Sequence, residues 1–210
     1  MIVKKLNIDE WERRDIYRFM SGISDPFYTV CFNVDVTNAH EYAHWRGLSF
    51  YYAMVYLVTR AINEVPAFLN DLADGEIVVL DRRNPSFCDI RKGSEAFYVV
   101  DLLLGDDLDD FCKRARKASE AQTTFFSEDR PEGEAWIYFS CIPWIDMTCV
   151  TNERDFDPDD TVPRISWGRY TEHEGRKTLN LSLEISHRFI DGYHIGQFEK
   201  RLTALIAELK

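Results

Sequence analysis

Between Lys177 and Ser186 apolar and polar residues alternate, and Leu179, Leu181, Leu183 and Ile185 fall on one face of the extended chain. His187 continues that apolar row. The chain then passes through Asp191-Gly192 into a segment, from His194 onward, that places Ile195, Phe198, Leu202, Leu205 and Leu209 on a single helical face. A strand with a wholly apolar face, leading at once into an amphipathic helix, leaves both needing cover. The C-terminal third therefore calls for a sheet and a helix layer. Upstream, Arg164–Thr171 reads as a partner strand, with His173-Glu174-Gly175-Arg176 as the hairpin turn between the two.

The rest of the chain repeats both signals. Asp9–Met20 reads as a first helix with Asp9 as its N-cap. Phe27–Thr37 alternates as a strand, with Tyr28, Val30, Phe32, Val34 and Val36 facing one way. Phe50–Glu64 is a strongly apolar helix that Pro66 helps to end, and Leu108–Ala121 is a charged one. Glu76–Asp81, Glu95–Leu104 and Ala135–Cys141 read as strands. The acidic, proline-containing stretch from Asn152 to Asp160 reads as a surface loop rather than a boundary, so residues 1–210 are expected to form one domain. Strands and helices mix without strict alternation. The expected fold class is α+β, a mixed β-sheet covered by helices.

A net charge of −11 and the lack of a basic stripe argue against nucleic acid and against an anionic membrane surface. The apolar runs fall far short of the ~20 residues needed to span a bilayer. Lys4 and Lys5 are followed by no apolar stretch or small-residue cleavage site, so no signal peptide is expected and the cytoplasm is the expected location. The five cysteines (Cys31, Cys88, Cys112, Cys141 and Cys149) form no C-x-x-C pair. They point to reduced, mostly buried thiols rather than to a zinc site or a disulfide framework.

His187 and Asp191-Gly192 together read H-x-x-x-D-G. An imidazole at the end of a buried strand is shielded from bulk water, and histidine is the side chain whose unperturbed charge change falls near neutrality, which suits a general base. The plainer reading is a hydrogen-bonded core histidine. Gly192 would allow a sharp turn or a close approach to a neighbour. His194, opening the last helix, reads as structural. His40 and His44 stand at i, i+4 without a third ligand nearby and read as a solvated helix face, so no metal is expected.

The segment His187-Arg188-Phe189-Ile190-Asp191-Gly192-Tyr193-His194 resembles the active-site segment of the chloramphenicol acetyltransferases. Three further segments resemble the same family. Trp11-Glu12-Arg13-Arg14 is similar to its N-terminal W-x-R-R signature. Phe50-Tyr51-Tyr52-Ala53-Met54-Val55-Tyr56-Leu57 is similar to its F-Y-P-A-M-I-Y-L helix, with Tyr52 in place of the proline. Pro143-Trp144-Ile145-Asp146-Met147-Thr148-Cys149 is similar to its P-W-x-x-F-x-S strand. The resemblance implies the CoA-dependent acyltransferase fold and direct acetyl transfer from acetyl-CoA to the hydroxyl of chloramphenicol or a similar small alcohol. Acetyl-CoA would be a co-substrate, with no permanently bound cofactor.

The resemblance also implies roles. His187 would take the hydroxyl proton. Asp191 would pair with Arg13 and hold the geometry around it, and Ser166 would stand where a threonine holds a water. Tyr51 and Tyr170 would lie near the coenzyme tunnel. Phe19, Met20, Ser24, Tyr28, Phe97 and Arg164 would line the acceptor pocket, where Ser24 and Arg164 replace apolar residues and Arg164 needs a partner or another direction. The protein would be a homotrimer with sites between subunits. Cys149 stands at the oxyanion-stabilising serine, and a thiol is the weaker donor; Thr148 carries a hydroxyl but, on a strand, would face the other way. Two other readings stay open: a dihydrolipoyl acyltransferase core, which shares His-Arg-x-x-Asp-Gly, and a catalytically silent relative that binds a ligand as a trimer.

Overall fold

The computed structural model describes residues 1–209. In chain order the elements are β1 (Ile2–Lys5), α1 (Arg14–Ser21), β2 (Phe27–Asp35), α2 (Thr37–Trp45), α3 (Phe50–Asn63), β3 (Asn70–Ala73), β4 (Glu76–Leu80), β5 (Asn84–Ile90) and β6 (Phe97–Asp101). They continue with α4 (Leu108–Ala121), β7 (Trp136–Ile142), β8 (Arg164–Gly168), β9 (Thr171–His173), β10 (Arg176–Ser186) and α5 (Gly192–Ala207). The fold is the expected α+β arrangement. A large mixed sheet runs β2-β10-β8-β7-β5-β6, with β9 beside β10; β1, β4 and β3 form a small antiparallel sheet. The β5–β7 and β7–β8 pairs are parallel and the other pairs of the large sheet are antiparallel.

The alternation along β10 explains its place beside β2 and β8. Leu179, Leu181, Leu183 and Ile185 are all buried, and they share a face with Ile165 and Trp167 of β8 and with Ile137 and Phe139 of β7. Helix α3 packs with α4, α5 and β5 around this core, and it is apolar on nearly every side because it lies in the middle. Ser49 caps it, accepting a hydrogen bond from the Tyr52 backbone N–H at 3.4 Å. The Tyr52 hydroxyl donates to Asp89 of β5 at 2.5 Å, and Ser119 of α4 donates to the same carboxylate oxygen at 2.7 Å. One carboxylate thus joins the helix, the sheet and α4.

The opposite face carries Thr29, Cys31, Ser182, Glu184, Ser166 and Arg164, placed together by the register of β2, β10 and β8. Apolar packing does not cover it. The irregular segment from 143 to 163 lies over part of it through polar bonds. The Val150 backbone N–H donates to Ser182 at 3.1 Å, that of Asn152 to Glu184 at 2.8 Å, and Arg188 binds the carbonyls of Pro158 and Asp160.

Several local expectations need correction. The first helix starts at Arg14, not Asp9: residues 8–10 form a separate 3-10 turn capped by Asn7, and the backbone at Trp11 is extended. Trp11 leaves the helical path to pack its ring 6.0 Å from Tyr17 and 6.1 Å from Phe189. The Pro143–Cys149 segment is not a strand, because β7 ends at Ile142 and the chain turns there. Of the thiols only Cys112 is fully buried, and Cys149 is exposed.

Candidate active site

The Ser186–Phe27 end of the β2–β10 ladder places His187. Its backbone N–H donates to the Pro26 carbonyl at 2.7 Å, extending the ladder by one residue past the strand. Its ring lies 4.4 Å, centroid to centroid, from that of Tyr28, which shares the face of its register partner Ile185. The Tyr28 hydroxyl donates to the Ile190 carbonyl at 3.3 Å. Burial, and then the Asp191 charge, push its ionisation up to about 12, so Tyr28 stays a neutral donor.

Asp191 caps α5. Its Oδ1 accepts from the Tyr193 backbone N–H at 3.0 Å, and the His194 Nδ1 accepts from the Asp191 backbone N–H at 3.2 Å, which closes a capping box. His194 is therefore structural. Burial lowers its pKa despite the neighbouring carboxylate, which agrees with an unprotonated Nδ1. The other Asp191 oxygen receives Arg13 Nη1 at 2.5 Å. Burial alone would raise the Asp191 pKa, but the hydrogen bond and charge of Arg13, with the other polar contacts, hold it below the usual range. Gly192 needs neither a sharp turn nor a close approach: a Cβ there would meet nothing within 4 Å, and its φ is not positive. The glycine that does matter sterically is Gly168, where a Cβ would lie 2.6 Å from the Ile145 carbonyl oxygen and 2.7 Å from Met147. That close approach seats the 143–149 loop against the end of β8, with Arg169 N–H bonded to the Ile145 carbonyl at 2.7 Å.

Ser166 and Cys149 lie on the other side of the sheet. Ser166 pairs in register with Ser182, whereas the row leading to His187 pairs with Ile165 and Trp167. Ser166 is 1% exposed and its hydroxyl donates to Asn152 Oδ1 at 3.2 Å. Thr148 and Cys149 are both exposed on the irregular loop, so strand alternation does not separate them. Around this side runs a charged network that sequence reasoning missed. Glu184, 5% exposed, takes Arg154 on one oxygen at 2.8 Å and the Asn152 backbone on the other at 2.8 Å; Arg154 also pairs with Asp25 and stacks 3.9 Å over the Phe27 ring. A carboxylate in the middle of a strand whose alternate residues are all apolar was the available signal.

The remaining candidates are dispersed. Arg164 has its required partner in Asp160, at 2.8 Å, and lies over the Phe27 and Tyr138 rings. Ser24 lines a cleft with Phe27 and Arg154. Phe19 is an exposed side chain of α1 and Met20 is half-buried. Phe97, 53% exposed, is on the edge strand β6, four strands from β10 or ~19 Å at ordinary strand spacing, and does not meet His187 within one chain. Tyr51 is committed to packing, its hydroxyl donating to the Cys88 carbonyl at 2.7 Å beside Trp167. Tyr170 packs edge-on against Phe50 and His40. His40 is part of that aromatic cluster, so only His44 fits the solvated-face reading. Among the described residues no group of three or more His, Cys, Asp or Glu is placed to hold a metal, and no helix is long and apolar enough to cross a membrane.

Comparison with known proteins gives a consistent picture. The chain is 25% identical to chloramphenicol acetyltransferase 3 of Escherichia coli over 208 residues, covering 96% of this chain and 95% of that one. It is 25% identical to the chloramphenicol acetyltransferase of Staphylococcus aureus over 210 residues, covering 98% and 96%. A solved chloramphenicol acetyltransferase superposes with a TM-score of 0.85 at 26% identity, over 99% of both chains. The dihydrolipoamide acetyltransferase of Azotobacter vinelandii shares the fold, with a TM-score of 0.69 at 20% identity over 92% of this chain and 86% of that one. The sequence model described as chloramphenicol acetyltransferase matches residues 1–203, and so takes in Arg13, the 143–149 loop, His187 and Asp191 together: the chain belongs to the chloramphenicol acetyltransferase family of acyltransferases.

Proposed function

We propose that the protein transfers the acetyl group of acetyl-CoA directly to a hydroxyl of chloramphenicol or a similar small alcohol, with His187 as general base. The position of His187 carries this reading: a histidine fixed at the end of β10, against Tyr28, with the Asp191–Arg13 pair behind it. The imidazole takes the proton of the acceptor hydroxyl, and the oxygen attacks the thioester carbon. Negative charge then gathers on the carbonyl oxygen, where Cys149 or Thr148 would donate. As that intermediate collapses, the proton returns to the departing coenzyme sulfur. Asp191 and Arg13 act as positioning residues, and Ser166 orders polar groups on the acceptor side through Asn152.

Phe19, Met20, Ser24, Tyr28, Phe97 and Arg164 are proposed to line the acceptor site, and Tyr51 and Tyr170 to lie behind the coenzyme arm. The working unit is a homotrimer with sites between subunits. Two features favour this: His187 and Ser166 face opposite sides of one sheet, and Phe97 stands on its far edge. One chain thus presents two halves of a site without joining them. The Glu184–Arg154–Asp25 network beside Phe27 favours an acceptor more polar than the apolar wall expected of the family would select. Residues 1–210 act as one domain, and the protein works in the cytoplasm without nucleic acid or membrane.

Release of coenzyme thiol from acetyl-CoA, measured against chloramphenicol and a panel of small alcohols, tests the reading. Turnover with at least one alcohol, lost in His187→Ala, is expected. Acetyl transfer to dihydrolipoamide with none to any alcohol would overturn it.

A further inference from the structure

Three side chains from separate segments converge on the outer face of the sheet. Cys31 of β2 and Ser182 of β10 are register partners, with the sulfur 3.2 Å from the hydroxyl oxygen. The Ser182 oxygen also accepts the Val150 backbone N–H at 3.1 Å, which anchors the residue next to Cys149 over the same spot. Cys149, the residue before Val150, is thereby held beside the serine hydroxyl that the Cys31 sulfur touches. Cys31 is half-buried and Cys149 exposed, so reagents reach the pair from the open side, whereas Cys112 is on the buried face of α4.

We propose that Cys31 and Cys149 form a covalent modification site, an oxidisable thiol pair that a peroxide closes to a disulfide across the outer face. In the first step the Cys149 sulfur attacks the peroxide O–O bond, giving a sulfenic acid and water. In the second the Cys31 sulfur attacks the sulfenyl sulfur, the S–S bond forms, and the hydroxyl leaves as a second water. The two thiol hydrogens and two electrons pass to the peroxide, which is the only oxidant required. The neighbouring Cys31, toward which the neutral Cys149 thiol donates, raises the Cys149 pKa, so little thiolate is present at neutral pH and the first step is slow. The second is intramolecular, between thiols gathered around the Ser182 hydroxyl, and it outruns further oxidation of Cys149. Closing the bond removes the thiol proton that Cys149 would donate, so the same event silences the site. Bond formation is independent of the proposed reaction; the loss of turnover rests on the donor role of Cys149.

The test treats reduced protein with hydrogen peroxide, alkylates the remaining thiols, and examines the digested peptides by mass spectrometry alongside acetyl-transfer assays. A linked Cys31–Cys149 peptide, lighter than its parts by two hydrogens and separated by dithiothreitol, is the expected product. Turnover should fall by about tenfold or more and recover on reduction. In Cys31→Ala the linked peptide is absent and Cys149 advances to sulfinic acid, which dithiothreitol does not reverse. Should that variant fail to fold, Cys149→Ala serves instead, with Cys31 still alkylated after the same treatment. Wild-type protein in which both residues remain separately alkylated after peroxide and after diamide would overturn the pairing. A linked peptide without loss of turnover would leave the pairing standing and remove its link to the Cys149 donor.

Discussion

Asp191→Asn isolates the charge of one carboxylate from its geometry. The amide keeps an oxygen for the Tyr193 N–H, and asparagine is as good an N-cap as aspartate, so the start of α5 should survive. What disappears is the negative charge opposite Arg13. Arg13 has no substitute, since its Nε and Nη2 atoms are already buried without a hydrogen-bond partner. Stripping one member from a fully buried pair costs about 3–5 kcal/mol, and an exposed pair contributes about 0–1 kcal/mol. Side chains that are 16% and 28% exposed lie between these limits, nearer the first, at about 2–3 kcal/mol. For a chain of this size that lowers Tm by roughly 5–10 °C. The pH dependence has a definite sign. The folded pKa of Asp191 is depressed, so its contribution is present above the unfolded value of about 4 and is lost as pH falls through the folded value. Thermal melts of both proteins should therefore differ most near neutrality and converge as pH drops below about 4. Turnover should fall roughly 10- to 100-fold, the penalty for letting a base drift from its position. Equal melting temperatures at neutral pH, or a gap that persists unchanged in acid, would refute the reasoning.

Replacing His187 by alanine should cut acetyl transfer by roughly 10²–10⁴-fold while coenzyme binding, followed by calorimetry, stays nearly intact. Cys149→Ser should raise kcat with little change in acceptor KM, because a hydroxyl is the stronger donor and the gain comes in the transition state. A large loss in Thr148→Val with no effect of Cys149→Ser would instead assign the donor to Thr148; both side chains are exposed on the same irregular loop. Tyr52→Phe should destabilise the fold by about 2 kcal/mol in denaturant titration, since it deprives the Asp89 carboxylate of one of its two hydroxyl donors.

Period-two and period-3.6 patterns made β10, α3, α4 and α5 legible from sequence to within a residue or two, because each of these elements buries one well-defined face or nearly all of its surface. The mixed α+β class followed from their order. His187, Asp191 and Arg13 were legible only as a spacing and a resemblance. Sequence order also brought Thr148 and Cys149 into view, but misread their backbone as a strand: Pro143 opens a turn closed by the Ile145 N–H on the Ile142 carbonyl, and the bare Cα of Gly168 lets the loop lie against the end of β8.

Glu184 could be flagged in advance but its partners could not: Asp25, the Asn152–Arg154 stretch and Glu184 stand far apart in the chain and meet only when the 143–163 segment crosses β10. The convergence of Cys31, Cys149 and Ser182 has the same origin. Alternation decides which face of a strand a residue occupies, and so the sequence alone determined that His187 ends a buried row. Register between strands decides what lies beside it, and register is a property of the assembled sheet. The resemblance had implied Arg13 against Asp191, but only the tertiary structure put Tyr28 against His187 and Ser166 on the far side of the sheet from the base.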